Sequence, residues 1–170
     1  VRAPLLLVTA VLLALAACTV GAPDAGAPPS SSGPAPGEWT SYHADQARTG
    51  AVDGGPGGAV SRAWRADLGG AVRGQPVVAA GRVVAATETD RVVALDPGTG
   101  RVLWSTSIGQ PLRDVASVAG CGNIDPLGVT STPVVDTATG TVWVVGEVTD
   151  GGRVHHRLAG LDLATGAVRA

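Results

Sequence analysis

The feature that most constrains this chain is a repeat. Trp64 opens the segment WRADLG and Trp104 opens WSTSIG 40 positions later, and Gly69 and Gly109 keep the same spacing. A period of about 40 residues in a strand-rich chain is the length of one propeller blade, a four-stranded antiparallel sheet stacked on its neighbours. Within one period, alternation and turn residues predict four short strands, at 75–80, 82–87, 91–96 and 101–108, separated by Gly81, by 88–90 and by 97–100.

The second period keeps this order and is longer. Its strands are expected at 132–136, 141–149 and 154–162, with a fourth beginning at 167–170. Pro76 to Asp96 is 20 residues and Pro133 to Asp162 is 29, and the extra nine fall around 148–156 as a longer hairpin. Gly69 to Pro76 is 7 residues and Gly109 to Pro133 is 24, and the extra 17 lie within 110–130, which carries CGNIDPLG. The expected fold class is all-β: about two blades of a β-propeller over residues 38–170. Composition agrees. A hydrophobic fraction of 45% excludes bulk disorder, and the Val- and Gly-rich make-up argues against a helical bundle. The net charge is -2, so no nucleic-acid partner is expected.

The start of the chain reads as an address. Arg2 precedes residues 5–17, an apolar run interrupted only by Thr9. A helix of that length reaches ~20 Å, short of the ~30 Å hydrocarbon core, so it reads as the hydrophobic region of a secretory signal. Leu15-Ala16-Ala17-Cys18 resembles the lipobox of bacterial lipoproteins, in which the Cys thiol takes a diacylglyceryl group. An ordinary small-residue cleavage site with an incidental Cys is the alternative. The expected organisation is a lipoprotein signal peptide at 1–17, lipid attachment at Cys18, a flexible Pro/Gly/Ser/Ala tether at 18–37 and the repeat region at 38–170. It implies a lipid-anchored protein on the extracytoplasmic face of the cell membrane. All 12 basic residues are Arg, and this Ala/Gly/Val-rich composition resembles that of high-GC actinobacteria.

Residues 94–104 fit A-x-D-x-x-T-G-x-x-x-W through Ala94, Asp96, Thr99, Gly100 and Trp104. This resembles the tryptophan-docking motif of the quinoprotein (PQQ-type) propeller repeats. Asp96 and Thr99 are suited to bonding backbone groups of a tight turn, Gly100 to a positive φ, and the Trp104 ring to stacking between blades. A second copy keeps Asp162, Thr165 and Gly166 but has Gly160 in place of Ala and Ala170 in place of Trp. The stretch 38–50, EWTSYHADQARTG, resembles the opening segment that precedes the first blade of such propellers. The family usually closes with seven or eight blades, so this chain is expected to be part of a longer propeller.

The resemblance implies two functions. One is a non-enzymatic, lipid-anchored scaffold with an envelope protein as partner; the other is a fragment of a PQQ-dependent alcohol or sugar dehydrogenase, which would use PQQ and Ca²⁺. No catalytic residue and no cofactor is assigned to this chain itself. It carries no G-x-S-x-G, C-x-x-C, H-E-x-x-H or Walker sequence. In the inter-blade loop, Asn123 and Asp125 offer oxygens that suit Ca²⁺, but two oxygens fall short of the usual six or more. The plainer reading is a turn capping the loop, with Cys121 disulfide-bonded or buried. The GGPGG stretch at 54–58 reads as a loop. His155 and His156 are strand neighbours on opposite faces and cannot share one ion, and His43 reads as a hydrogen-bonding surface residue.

Overall fold

The computed structural model describes residues 37–170 except Gln46, Asp53, Gly55 and Pro56. The expected signal segment, Cys18 and the tether up to residue 36 lie outside the described residues.

The first blade is an antiparallel meander of β1 (Val77–Ala79), β2 (Arg82–Ala86), β3 (Arg91–Leu95) and β4 (Val102–Ser107), in spatial order β1-β2-β3-β4. The second has β5 (Val134–Asp136), β6 (Thr141–Asp150) and β7 (Arg153–Asp162), in order β5-β6-β7. A bridge between Leu161 and Val168 begins its fourth strand. The fold is all-β, as the repeat predicts, and the strand bounds fall within two residues of those expected. The Ala80-Gly81 turn between β1 and β2 holds both residues at positive φ, 47° and 69°, which a glycine tolerates at no steric cost.

Register shows which residues meet. In the first blade Val77 pairs with Val84, Val84 with Ala94, and Ala94 with Trp104, forming one row across four strands. The matching row of the second blade is Val134, Trp143 and Gly160, with Gly160 exchanging backbone hydrogen bonds with Ala170 at 2.9 and 3.3 Å. The first row joins Val135, Val142, Val144, Ala159 and Leu161 from the opposite face of the second blade in one buried cluster. That cluster is the core, and it lies between the blades. Side chains alternate across a strand, so Val134, Trp143, Val145 and Leu158 share the other face of the second blade. There Val134, Val145 and Leu158 are 42, 40 and 63% exposed.

The long β6–β7 hairpin projects past the strand length of the first blade because the insertion supplies an edge for it. Pro111 bridges Val148, Thr149 N–H donates to Gln110 O at 2.7 Å, and Glu147 N–H donates to Gly128 O at 3.0 Å. The insertion is not loop throughout. It contains one helical turn, α1 (Val115–Ala119), between Asp114 and Gly120, both left-handed. A Leu112–Leu127 bridge closes its base, with bonds of 2.9 and 2.8 Å.

Candidate functional site

The best-defined constellation is the seam between blades. In the turn after β3, Asp96 Oδ1 accepts from Gly98 N–H, Thr99 N–H and the Thr99 hydroxyl at 3.1, 2.8 and 2.8 Å. Gly100 N–H donates to Asp96 O at 2.8 Å, and Gly100 has φ 70°. Asp162 repeats the pattern with Ala164 N–H, Thr165 N–H and the Thr165 hydroxyl at 2.9, 2.7 and 2.9 Å. The threonine hydroxyl is the main reason each carboxyl is held below the usual carboxylate range. Arg169 also pairs with Asp162.

These turns seat tryptophans that precede them in the chain, Trp104 from β4 and Trp64 from the stretch before β1. Trp64 Nε1–H donates to Pro97 O at 2.7 Å, and Trp104 Nε1–H donates to Leu163 O at 3.0 Å. A Cβ on Gly100 would stand 2.5 Å from the Trp64 ring, and one on Gly166 would stand 2.6 Å from the Trp104 ring. Each glycine is therefore needed twice, for its positive φ and for the ring above it. Trp104 reaches the turn of the next blade, not that of its own. A third turn of this kind, which the strand reading did not single out, lies between β5 and β6. There Asp136 accepts from Ala138 N–H at 3.0 Å and from the Thr139 hydroxyl at 2.7 Å. Its signal was present as D-x-x-T-G at residues 136–140.

Gly160, the departure from the motif, has a local cause. A Cβ there would lie 2.8 Å from the Trp143 ring across the β6–β7 pair. In the first blade the same pair is Val84 with Ala94. The second blade moves the bulky residue from its outer strand to its second strand and empties the neighbour to fit.

The opening segment clips the innermost strands. Trp39 and Val78 exchange bonds of 2.7 and 2.8 Å, and Val135 N–H donates to Thr40 O at 2.8 Å, so one stretch holds β1 and β5. His43 Nδ1 lies 3.0 Å from Arg48 O, and its ring stacks on Tyr42.

The insertion places its singled-out residues apart from any metal geometry. Asp125 Oδ1 accepts from Asp114 N–H at 3.2 Å, and Asn123 is exposed. Cys121 is exposed and unbridged among the described residues, which corrects the expectation of a buried or disulfide-bonded thiol; the insertion projects from the blades and gives it no core to enter. His156 Nε2 lies 2.7 Å from Glu147 Oε2, while His155 is exposed on the other face. Among the described residues no three His, Cys, Asp or Glu side chains converge as metal ligands. Among the described residues no helix is long and apolar enough to cross a membrane.

The reading of turn residues missed a buried acidic pair. Glu88 and Asp90 sit in the β2–β3 turn with 2 and 0% exposure. Glu88 Oε2 accepts from Gly128 N–H at 2.9 Å and from the Thr130 hydroxyl at 3.1 Å. Burial pushes the Asp90 carboxyl up to about 6. In the sequence these acids are indistinguishable from ordinary hairpin polar residues.

Antiparallel blades sealed by tryptophans docked on D-x-x-T-G turns define a PQQ-like β-propeller repeat protein. The family described as outer membrane protein assembly factor BamB matches residues 46–170, and the chain belongs to it. Among solved structures it is similar to BamB from Moraxella catarrhalis at 20% identity and a TM-score of 0.45, covering 64% of this chain and 27% of that one. It is also similar to quinohemoprotein alcohol dehydrogenase from Comamonas testosteroni at 23% identity and a TM-score of 0.37, covering 53% of this chain and 11% of that one. The matched parts are thus a small share of both structures. No curated protein matches the chain.

Proposed function

We propose that this chain is part of a lipid-anchored, extracytoplasmic β-propeller that serves as a binding scaffold at the cell envelope. The observation that carries the reading is the uncovered apolar row of the second blade, Val134, Val145 and Leu158 around Trp143. The equivalent row of the first blade is sealed by a neighbouring blade. A further blade of the same repeat, in a longer chain, is the surface that fits this one. The membership in a family named for an assembly factor supports protein binding over catalysis. The insertion is the part best presented to a partner: of α1 only Val115 is buried, and Val118 is 58% exposed. Cys18 is the lipid-attachment residue of the proposal, and 18–37 the tether that holds the propeller off the membrane.

The test has two arms. Palmitate labelling in the native bacterium is expected to tag the protein through Cys18, and Cys18→Ser to release it from the membrane fraction. An unlabelled protein in the soluble fraction would remove the anchor from the reading. Photo-crosslinking from Val118 is expected to capture one envelope protein reproducibly. If none is captured, and the full-length protein instead reduces a dye with an alcohol or sugar in the presence of PQQ and Ca²⁺, the dehydrogenase reading replaces this one.

A further inference from the structure

The buried acidic pair in the β2–β3 turn of the first blade lies against residues 128–130 and Gly146 of the second. Residues 128–130, where the insertion returns to the core, are clamped from two sides. Val129 N–H donates to Thr87 O at 3.1 Å, Gly128 N–H to Glu88 Oε2 at 2.9 Å, and Gly128 O accepts from Glu147 N–H at 3.0 Å. Behind this clamp lies the Asp90 carboxyl. Its two oxygens and Glu88 Oε1 are buried without a hydrogen-bond partner among the described residues. The carboxyl rests on bare backbone: a Cβ on Gly128 or on Gly146 would each stand 2.8 Å from Asp90 Oδ1. Asp90 is anchored from below, because its backbone O accepts from Ile108 N–H at 2.9 Å. The backbone of the turn is thereby tied to the end of β4.

The groups facing Asp90 are known from each element around it. Glu88 comes from its own turn, Glu147 from β6 and Arg157 from β7; both glutamates oppose its charge and Arg157 favours it. The guanidinium of Arg157 is engaged with Ile108 O at 2.6 Å, and Glu147 with His156. The 128–130 segment adds no charge. A buried, unpaired carboxylate is unfavourable, and the site offers two ways to avoid one: keep the proton, or open and admit water. A divalent cation does not fit as a third, since two carboxyl groups are too few for the coordination such ions take.

We propose that Asp90 is a proton-operated latch on the insertion: protonated, it lets 128–130 close over it, and ionised, it drives that segment open. The moving part is the 128–130 segment, held by these hydrogen bonds and by the buried Val129 side chain, not the anchored turn. The insertion that the proposed scaffold presents to its partner is then tighter in acid than at neutral pH. The latch itself does not depend on that scaffold reading. A carboxyl held near 6 when closed and near 3.8 when open changes the opening equilibrium about tenfold between pH 5 and pH 7.5.

Hydrogen exchange of the full chain, corrected for intrinsic rates, tests it. The amides of Gly128, Val129 and Glu147 are expected to lose about tenfold protection from pH 5 to pH 7.5, while those of β2 and β3 change little. Asp90→Asn is expected to abolish the difference. Glu147→Gln removes one of the two like charges that oppose ionisation, so Asp90 gives up its proton more readily and the transition is expected to move to lower pH; a transition that stays in place or moves to higher pH overturns the role of Asp90. Equal protection at both pH values in the wild type, or a pH dependence that survives in Asp90→Asn, also overturns it.

Discussion

The two blades share a repeat and differ in how they spend their bulk. In the first, the row Val77–Val84–Ala94–Trp104 places its largest side chain on the outer strand, and every member is at most 8% exposed. In the second, the corresponding row is Val134–Trp143–Gly160–Ala170, with the tryptophan on the second strand and glycine beside it. The first arrangement sends a ring across the seam into the next turn. The second fills the middle of its own sheet. One motif therefore supports two packings, provided that each large residue faces a small one.

The most severe way to break this comparison is to remove the ring that crosses the seam. Trp104→Ala is expected to cost about 3–5 kcal/mol, through lost burial, a cavity and an unpaired Leu163 carbonyl. Urea denaturation reads it. Trp64→Ala, at a half-buried ring, is expected to cost less; an equal loss would mean that the seam is not what distinguishes Trp104.

A double-mutant cycle sharpens the second packing. Gly160→Ala is expected to destabilise by about 1–3 kcal/mol, because its Cβ meets the Trp143 ring. In a Trp143→Val background, which restores the first blade's pairing, the same change is expected to be close to neutral. Additive losses in the cycle would sink the account of Gly160.

Smaller effects come from the turns. Thr99→Val and Thr165→Val each remove a hydroxyl from an aspartate with the same turn bonds, and because Asp162 keeps Arg169 as a further partner, the melting temperature is expected to fall no more for Thr165→Val than for Thr99→Val. The linked pH effect has a definite sign. Asp96 and Asp162 are held below their ordinary value when folded, so their contribution is present above about pH 4 and is lost as pH falls through the folded values. The valine variants are expected to flatten that acid slope in thermal melts between pH 5 and pH 2.5. An unchanged slope would show that the turns do not set the acid limit.

Much of the architecture was legible because it is local. Strand alternation, the 40-residue spacing of Trp64 and Trp104 and the D-x-x-T-G turns are all written within one period. The nine-residue excess announced the long hairpin, whose strands run to Asp150 and from Arg153. The tryptophan's partner was not legible, since Trp104 and Gly166 meet only when two blades stack. The same holds for the glycine at 160, which reads as a lapse in the motif until Trp143 is seen above it. The insertion reads as a plain loop, and its helical turn lies between Leu112 and Leu127, which bridge at its base.

The sequence by itself determined the blade: its four-strand order, its turns and the residues that build them, because hydrogen-bonded hairpins follow from neighbours along the chain. Only the tertiary structure decided which face of each blade is core, which turn receives which tryptophan, and that Glu88 and Asp90 are buried beneath 128–130. Those are properties of surfaces meeting, and a carboxyl in a hairpin turn acquires its burial from whatever packs over it.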